Sequence, residues 1–415
     1  MRIGIIGGGA SGMMAAISIK RNNNDASVTI IEANEILGKK ILATGNGKCN
    51  FTNINTDAKY YNKDGADFIN SSFKAFSKYS VISLFESMGI KCRCKGDYVY
   101  PMSERAGALR RALENEIKRL NIEVKLNHKV QKINHEVTSG STSGKRFIVI
   151  TEEGGQYVFD KLIVSTGGNA GLPGKGASSG YRFAGTLGHK IIPTVPALVQ
   201  LEVKDNILKS ASGVRINAKA EAYIDDVLMD SSTGELQISD YGLSGILIFQ
   251  ISGCISRALH DDKKCEVRLD FLNMISEEDL IKGFINDQMK IGYLNILDYL
   301  NGYFTDKLSV IILKTSGVSQ NNTLTQLDSE SIKSIVMMIK YFKVNITQTK
   351  GYKNAQITSG GVVLSEINPD TMESRVCNDL YITGELLNID GKCGGFNLHF
   401  AWVSGYLAGL SAAKK

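Results

Sequence analysis

Residues 2–12 read RIGIIGGGASG, an apolar strand pattern that runs into glycines spaced G-x-G-x-x-G. A helix-compatible stretch follows at Met13–Lys20, and a second apolar run, Val28–Ile31, ends in Glu32. The glycine spacing alone is a weak signal. Strand, glycine turn, helix, second strand and acid in this order are typical of the βαβ unit that binds a dinucleotide. The sequence therefore predicts an α/β chain with a Rossmann-like domain.

Each glycine of the predicted turn has a distinct structural role. Gly7 makes the tight turn out of the strand, Gly9 lets the backbone approach a pyrophosphate, and Gly12 lets the helix pack close to the sheet. The phosphates lie at the helix N-terminus, where free N–H groups and the helix dipole favour anions. The predicted cofactor contacts of this turn are Gly7, Gly9, Ala10, Ser11 and Gly12.

Glu32 is the predicted partner of a ribose. Its carboxylate accepts hydrogen bonds from ribose hydroxyls and repels a 2′-phosphate, so FAD or NAD is favoured over NADP at this site. Two other interpretations of the segment are weaker: glycines that merely break a strand, and a secretory signal with Arg2 as its basic region. Three consecutive glycines, the missing A-x-A site and the immediate second strand disfavour a signal. We therefore expect a cytoplasmic protein.

Composition restricts the function classes. The 48 Lys and Arg against 42 Asp and Glu leave a net charge of +6, a mild excess that gives little support for a nucleic-acid or membrane partner. Seven cysteines in the chain are expected to be reduced thiols. Cys92 and Cys94 form a C-x-C pair without the further ligands of a zinc site. We expect a small-molecule substrate, no metal, no nucleic acid and no membrane partner.

A second glycine-rich segment, LGKKILATGNGKCNFTN, occupies residues 37–53. It mixes turn-forming residues with the cations Lys39, Lys40 and Lys48. Such a loop can wrap an anionic ligand closely with main-chain N–H groups and neutralise it. The alternative is a solvated basic loop.

The sequence pattern changes at Ile191. Short strand patterns separated by turns predict an antiparallel sheet or barrel, at Ile191–Val203, Lys219–Ile224, Gly234–Ile238 and Cys265–Phe271. Helical patterns follow, at Ser276–Lys290, Ile296–Phe304, Lys307–Leu313 and Ser329–Phe342. We predict three domains: a Rossmann-like domain at 1–190 and 354–415, an inserted β-barrel-like domain at 191–275 and 343–353, and a small helical domain at 276–342.

The last third of the chain returns to the glycine-rich α/β pattern. A strand, Leu380–Thr383, runs into Gly384 and Glu385, and Asp390 precedes a glycine pair that opens an apolar helix. The acid can bind ribityl or ribose hydroxyls, while the helix N-terminus faces the phosphates or the flavin. Such a distant second anchor is typical of FAD sites in two-segment flavoproteins and is not ordinarily needed for NAD.

These motifs together resemble one flavoprotein family. The segments are RIGIIGGGASGMMAA, GKKILATGNGKCNFTN, STGGNAG, QITSGGV and EINPDTMESRVCNDLYITGELLNIDGKCGGFNLHFAWVSG. They are similar to the BaiN/RdsA-type NAD(P)/FAD-dependent oxidoreductases, the aminoacetone oxidase-like flavoproteins, across nearly the whole chain. ATGNGKCN and the block from Gly384 to Asn397 are far more specific than the first glycine turn. The resemblance implies a Rossmann-like FAD-binding domain built from both chain ends, with an inserted β-barrel domain and a small helical domain.

Residue by residue, the resemblance implies a set of FAD contacts beyond the first turn. The adenosine side takes Glu32, Ala33, the main chain of Val130, Thr166 and Gly167, with Lys39 and Lys40 beside it. The flavin side takes Thr44, Gly45, Asn46, Gly47, Cys49, Asn50, Gly384, Glu385, Asp390, Gly395, Phe396 and Asn397. Lys48 stands where Arg is common in this motif, which keeps the charge and loses a bidentate grip.

No catalytic residue is assigned, because the flavin performs the hydride chemistry and protein groups mainly orient and tune it. Cys49 and Cys393 lie in the two predicted flavin loops, the first at 44–50 and the second at 384–397. They are either a redox pair or, as we favour, small packing residues, since their spacing is not C-x-x-C. His399 follows the second flavin loop and is either a proton donor near the flavin or a core residue.

The sequence thus predicts an FAD-dependent oxidoreductase with noncovalent FAD and a small or medium organic substrate. NADH, NADPH or molecular oxygen is the expected second redox partner, and a pyridine nucleotide would dock transiently because no second Rossmann pattern is visible. Two other classes are open: a non-catalytic FAD-binding redox sensor, and a flavin-dependent tRNA-modifying enzyme, which the missing basic run disfavours. The sequence does not identify the substrate or the oligomeric state.

Overall fold

The computed structural model describes residues 1–137, 145–171, 179–204 and 206–414. These residues form two compact units, one of Met1–Thr194 and Ile357–Lys415 and the other of Val195–Gln356. The first unit contains both chain ends, and the second is a continuous insertion. The three-domain division stays a prediction, because the barrel strands and the helices after residue 276 belong to one compact unit here.

The strands and helices follow one another through both units. The strands are β1 (Arg2–Ile6), β2 (Ser27–Ile31), β3 (Thr52–Asn53), β4 (Cys92–Lys95), β5 (Tyr98–Pro101), β6 (Glu123–Lys125), β7 (Val130–Val137), β8 (Lys145–Thr151), β9 (Gln156–Phe159), β10 (Lys161–Val164), β11 (Ile191–Ala197), β12 (Leu201–Val203), β13 (Arg215–Ile224), β14 (Val227–Ser239), β15 (Gly242–Ser244), β16 (Cys265–Asp270), β17 (Phe342–Thr349), β18 (Ile357–Val362) and β19 (Leu380–Ile382). The helices are α1 (Ala10–Asn22), α2 (Ala66–Ala75), α3 (Lys78–Ser87), α4 (Ala106–Arg119), α5 (Ser179–Thr186), α6 (Ile246–His260), α7 (Glu277–Ile291), α8 (Ile296–Asn301), α9 (Asp306–Ser316), α10 (Ser329–Lys340) and α11 (Phe396–Ala412).

A parallel five-stranded sheet in the order β19-β10-β1-β2-β6 organises the first unit. In its centre Ile5 lies between Ile30 of β2 and Ile163 of β10, and all three are fully buried. Continuous runs of β-branched residues suit a parallel strand that is covered on both faces. The order places the carboxyl ends of β1, β2 and β10 side by side, directly before the glycine turn, Glu32 and Thr166.

Helices α1 and α11 pack closely in the same unit. A Cβ added at Gly405 would lie 2.3 Å from the carbonyl oxygen of Ser11, and one at Gly409 would lie 2.4 Å from that of Ala15. Only glycine permits this approach of two helix backbones. The last helix of the chain therefore supports the helix that follows the first glycine turn.

The second unit contains a closed barrel in the order β12-β15-β14-β13-β16-β17. Along β13 the buried residues Ala218, Ala220 and Ala222 alternate with more exposed Lys219 and Glu221, as expected for one inward and one outward face. Helix α6 packs on β13 and β14, and helices α7 to α10 complete the unit. In the part of the chain that the structure describes, no helix combines the length and apolarity needed to cross a membrane.

Candidate functional site

The first glycine turn has the geometry of a phosphate-binding turn. Gly7 has φ +100, and a Cβ there would lie 2.5 Å from the carbonyl oxygen of Ser165, so β1 and β10 meet tightly at this point. A Cβ at Gly12 would lie 2.0 Å from the carbonyl oxygen of Gly7. At Gly9, by contrast, nothing lies within 4 Å of an added Cβ. The turn is thus closed on the protein side and open at Gly9.

Helix α1 begins at this open position. Its N-cap is Gly9, which provides no side-chain cap, so the N–H groups of the first turn are available to a ligand. A cavity of about 130 Å³ adjoins the turn. The predicted contacts that line it are Gly7, Gly9, Glu32, Ala33, Lys39, Lys40, Val130, Thr166 and Gly167. Residues of the first glycine turn and residues predicted to contact the adenosine side of the cofactor therefore surround the same cavity.

Glu32 is held in place by the protein. Its side chain is buried, one oxygen accepts a hydrogen bond from the N–H of Gly8 at 2.7 Å, and the other accepts two from the backbone and side chain of Asn34 at 2.8 and 2.6 Å. A carboxylate has about four lone-pair positions, so one remains for a ribose hydroxyl. The Gly8 N–H is bound to Glu32 and is not directed at a phosphate.

The sequence interpretation missed part of the cavity wall. Additional lining residues include Gly8, Asn34, Ile36, Gly38, His128, Lys129, Ser165, Gly168, Ala170 and Ser179. Most of them follow the carboxyl end of β2 or β10, or directly precede β7. Ligands of open parallel sheets bind at the carboxyl ends of the strands, and this rule could have identified them.

The first flavin loop overlaps a 3₁₀ segment, Lys39–Gly47, which is interrupted by non-helical residues at 44–46. Gly45, Asn46 and Gly47 have φ of 54, 53 and 82, the left-handed region that glycine and asparagine tolerate best. Cys49 also has positive φ, at 56, and is fully buried. Burial raises the pKa of the Cys49 thiol to about 11, so it is not a thiolate at neutral pH.

Glu385 connects this loop to the C-terminal segment. One of its carboxylate oxygens is 2.7 Å from Nζ of Lys40, and the other accepts the N–H of Thr358 at 2.7 Å. The cation and the acid that the sequence assigned separately to the cofactor are therefore paired with each other. Glu385 can therefore accept hydrogen bonds from cofactor hydroxyls only at the lone pairs that these two contacts leave unused.

The second flavin loop is shaped by side-chain hydrogen bonds. Asn397 binds the backbone N–H and the carbonyl oxygen of Gly391, each at 2.8 Å, and Asp390 accepts the Ser359 hydroxyl at 3.1 Å. Gly395 has φ 89 and is the N-cap of α11. Phe396 stacks on Tyr60 with ring centres 4.9 Å apart. Asn397 and Asp390 thus act on the loop itself in this structure.

The two flavin loops meet at Asn50. A Cβ at Gly395 would lie 2.7 Å from Oδ1 of Asn50. This buried oxygen has no hydrogen-bond partner among the residues that the structure describes. Buried polar atoms normally have a partner, so an orphaned acceptor here fits a site that a polar cofactor completes. Together with the open Gly9 position and the cavity beside Glu32, it makes the residues present compatible with FAD.

His399 is a core residue. It is fully buried in α11, its Nδ1 is 2.9 Å from the hydroxyl of Thr52, and its ring makes an edge-to-face contact with Phe73. Burial, reinforced by the charge of Lys78, lowers the pKa of His399 to about 3. The imidazole is therefore neutral at pH 7, and the imidazolium form that would act as a general acid is not populated, which favours the packing interpretation.

Comparison with known proteins identifies a matching family and full-length relatives. The model of the HI0933-like protein Rossmann domain matches residues 1–411. A 3-dehydro-bile acid delta(4,6)-reductase of Clostridium scindens is 40% identical over 414 residues, covering 100% of this chain and 99% of the relative. A ribosomal RNA dihydrouridine synthase of Haemophilus influenzae is 28% identical over 415 residues, covering 99% and 98%.

The fold has a counterpart among solved structures. The open conformation of a flavocytochrome c3 fumarate reductase superposes with a TM-score of 0.50 and 13% identity, over 99% of this chain and 78% of that chain. At this identity the likeness concerns the fold alone. A Rossmann-type domain with an inserted unit is therefore an architecture that occurs elsewhere.

Proposed function

The chain belongs to the HI0933-like Rossmann family and is an oxidoreductase, and we propose that it uses FAD to reduce a carbon–carbon double bond conjugated to a carbonyl group. The observation that carries the proposal is full-length similarity to a named reductase, at 40% identity. The substrate itself and the second redox partner are part of the proposal.

The site supports FAD in three places. The first turn of α1 offers N–H groups beside the open Gly9, the buried Glu32 faces the same cavity, and the orphaned Asn50 oxygen marks the junction of the two loops. Anions bind readily at such a helix N-terminus. Glu32 would hold the adenosine ribose, and Lys39 would offset phosphate charge. Bound FAD would supply the hydride-transferring centre at its N5 atom.

The names of two relatives support a conjugated carbon–carbon double bond as the bond that is reduced. A 3-dehydro steroid with double bonds at positions 4 and 6 has those bonds conjugated to its 3-oxo group, and making dihydrouridine saturates a ring double bond conjugated to a carbonyl. Reduction of such a bond adds a hydride to the alkene carbon that is farther from the carbonyl group and a proton to the other alkene carbon. The shared chemistry is therefore the same although the two substrates differ greatly in size.

An RNA substrate is the second candidate, and the relative from Haemophilus influenzae favours it. The identity to that relative is 28%, against 40% for the steroid reductase. The net charge of +6 is a modest one for a protein that must hold a polyphosphate. We therefore rank a small unsaturated carbonyl compound first, and the absence of a nucleic-acid partner stays a prediction.

Anaerobic flavin spectroscopy tests the proposal. Purified protein should be yellow, and NADH or NADPH should bleach it. A 3-oxo-Δ4 steroid carboxylic acid should then restore the oxidised spectrum, while its saturated 3-oxo counterpart should not. Recovery with a uridine-containing ribosomal RNA fragment alone would shift the assignment to RNA. Recovery with oxygen alone would favour an oxidase, and a flavin that no reductant bleaches would favour a sensor and refute the proposal.

A further inference from the structure

Three cations converge on one carboxylate beside the first flavin loop. Nη2 of Arg93 and Nζ of Lys95 each lie 2.9 Å from one oxygen of Glu104, and Nζ of Lys48 lies 3.4 Å from the other. We call these four residues the Glu104 cluster. Three positive charges facing one negative charge leave an excess of two. The acid of the adjoining turn, Asp97, is not an ion-pair partner of the three cations in the described chain.

The backbone conformation and hydrogen bonds hold this cluster next to the first flavin loop. Glu104 has φ 48, a conformation that is uncommon for a residue other than glycine or asparagine. Lys48 belongs to the loop that includes Asn50, and the N–H of Phe51 donates to the carbonyl oxygen of Val99 in β5 at 3.0 Å. The hairpin that carries two of the cations is thus hydrogen-bonded to the end of the flavin loop.

Two tyrosines share a face with the cations. In the β4–β5 hairpin Arg93 is opposite Tyr100 and Lys95 is opposite Tyr98, and directly opposite residues point to the same side of a sheet. The ring of Tyr98 is against Gly394, where an added Cβ would lie 2.7 Å from it. The face therefore extends from the Lys48 loop to the glycine pair of the second flavin loop.

The cations are held in place yet accessible. The side chains of Lys48, Arg93 and Lys95 are 54%, 38% and 48% exposed, whereas that of Glu104 is 20% exposed. Hydrogen bonding to Lys95, with the charge of Arg93, lowers the pKa of Glu104, so its carboxylate stays ionised. Glu104 prearranges the cations around one carboxylate, and their exposed sides are free to take a second anion. An anion bound there gains charge-assisted hydrogen bonds.

We propose that the Glu104 cluster binds a carboxylate or phosphate carried by one of the enzyme's two small ligands, with the rings of Tyr98 and Tyr100 against the apolar part of that ligand. The anion belongs either to the unsaturated carbonyl substrate or to the reducing pyridine nucleotide. This inference rests on the proposed function, because it assigns part of the recognition of those ligands to the hairpin.

Calorimetric titration of the FAD-bound protein tests the site without turnover. The probes are a 3-oxo-Δ4 steroid carboxylic acid, its uncharged methyl ester, and adenosine 2′,5′-bisphosphate. The variant Arg93→Gln/Lys95→Gln should weaken binding of the recognised anion by about tenfold or more, from the loss of charged hydrogen bonds. The methyl ester should bind equally to both proteins. An effect on the steroid acid assigns the site to the substrate, and an effect on the bisphosphate assigns it to the nucleotide.

The variant Glu104→Gln should change anion affinity in the opposite direction to the cation variants. The Gln oxygen still accepts hydrogen bonds from the cations and keeps them in place, but the competing negative charge is gone. The recognised anion should therefore bind several-fold more tightly, whereas a purely structural cluster would give weaker or unchanged binding. Lys282→Gln/Lys290→Gln on α7 removes two exposed charges elsewhere and is the matched control. FAD content and the melting temperature show whether each variant folds. Lys48→Gln, which keeps the two 2.9 Å pairs, replaces the double variant if that one does not fold.

The results separate this site from the proposed function. Unchanged binding of both anions in the folded cation variants, or an equal loss in the α7 control, overturns the site even if the enzyme reduces conjugated carbonyl compounds. A cluster-dependent anion affinity in a protein that reduces none of them upholds the site and refutes the function.

Discussion

The carboxylate of Glu32 accepts the backbone N–H of Gly8 at 2.7 Å, which joins the end of β2 to the glycine turn after β1. The two strands are already in register, with Ile6 opposite Ile31, and the hydrogen bond extends that pairing into the site. The acid that is expected to bind the ribose is thus fixed before any cofactor arrives. A preorganised group loses less conformational freedom on binding.

Removing this acid should weaken the FAD site. Glu32→Ala should reduce FAD affinity by about 1–3 kcal/mol, because it deletes charged hydrogen bonds to the ribose and frees the turn. The quench of flavin fluorescence on binding to the stripped protein measures the affinity. Glu123→Gln on β6 is the matched control, since Glu123 also accepts a side-chain hydrogen bond, from Thr29 at 2.7 Å. Equal losses in both variants would assign the effect to the sheet rather than to the ribose.

Two glycines of the same turn should respond differently to one methyl group. Gly12→Ala puts its Cβ 2.0 Å from the carbonyl oxygen of Gly7, and overpacking of this kind costs about 1–3 kcal/mol of unfolding free energy. Gly9→Ala meets nothing within 4 Å, and φ is −77, so its unfolding free energy should stay within about 0.5 kcal/mol of the parent.

FAD titration completes that comparison. Gly9→Ala should bind FAD more weakly despite its normal stability, because the methyl group occupies the space reserved for the pyrophosphate. Chemical denaturation of the cofactor-free proteins and flavin fluorescence supply the two measurements. A Gly9→Ala protein with normal FAD affinity would place the phosphates elsewhere.

The local features of the fold were predictable from sequence. The turn at Gly7 to Gly12 and the strand that runs into Glu32 depend on residues that are neighbours in the sequence, so glycine spacing and apolar periodicity predict them directly. Helix α6 was not predicted. Its buried Leu247, Ile251 and Ile255 do repeat every four residues, but isoleucines and Gly253 lower helix propensity in this apolar run.

The connections within the candidate site were not predictable. Lys40 and Glu385 are 345 positions apart, and both were expected to face the cofactor. Only the folded backbone shows that they pair with each other. The Glu104 cluster is similar: Arg93 and Lys95 share one side of β4 by alternation, but only the fold brings Lys48 and Glu104 to that side.

The buried His189 should make stability depend on pH. Its Nδ1 is 3.1 Å from Glu366, and its Nε2 is 2.8 Å from the hydroxyl of Ser374. Burial lowers the pKa of His189 below 6.5 and outweighs the opposing effect of the hydrogen bond that His189 makes to the carboxylate of Glu366. The unfolded chain therefore binds more protons than the folded one just below pH 6.5, and stability should fall as the pH drops through that window.

Urea denaturation at pH 7.5 and pH 5.5 measures this dependence. His189→Gln should reduce the loss of unfolding free energy between the two pH values, because the titrating group is gone. His260→Gln, at a half-exposed histidine at the end of α6, is the control and should leave the difference unchanged. A His189 variant with the parent's pH dependence would assign the effect to other groups.

The thiols of the flavin loops should take no part in turnover. Burial raises the pKa of Cys49 to about 11 and also raises that of Cys393, so neither is a thiolate, the reactive form, at neutral pH. Cys94 on β4 is exposed and serves as an internal reference. Brief alkylation at pH 7 followed by peptide mass spectrometry should label Cys94 well before Cys49 or Cys393, and the pattern should be the same for oxidised and reduced enzyme. Flavin reduction that makes Cys49 and Cys393 reactive together would instead identify them as a redox pair.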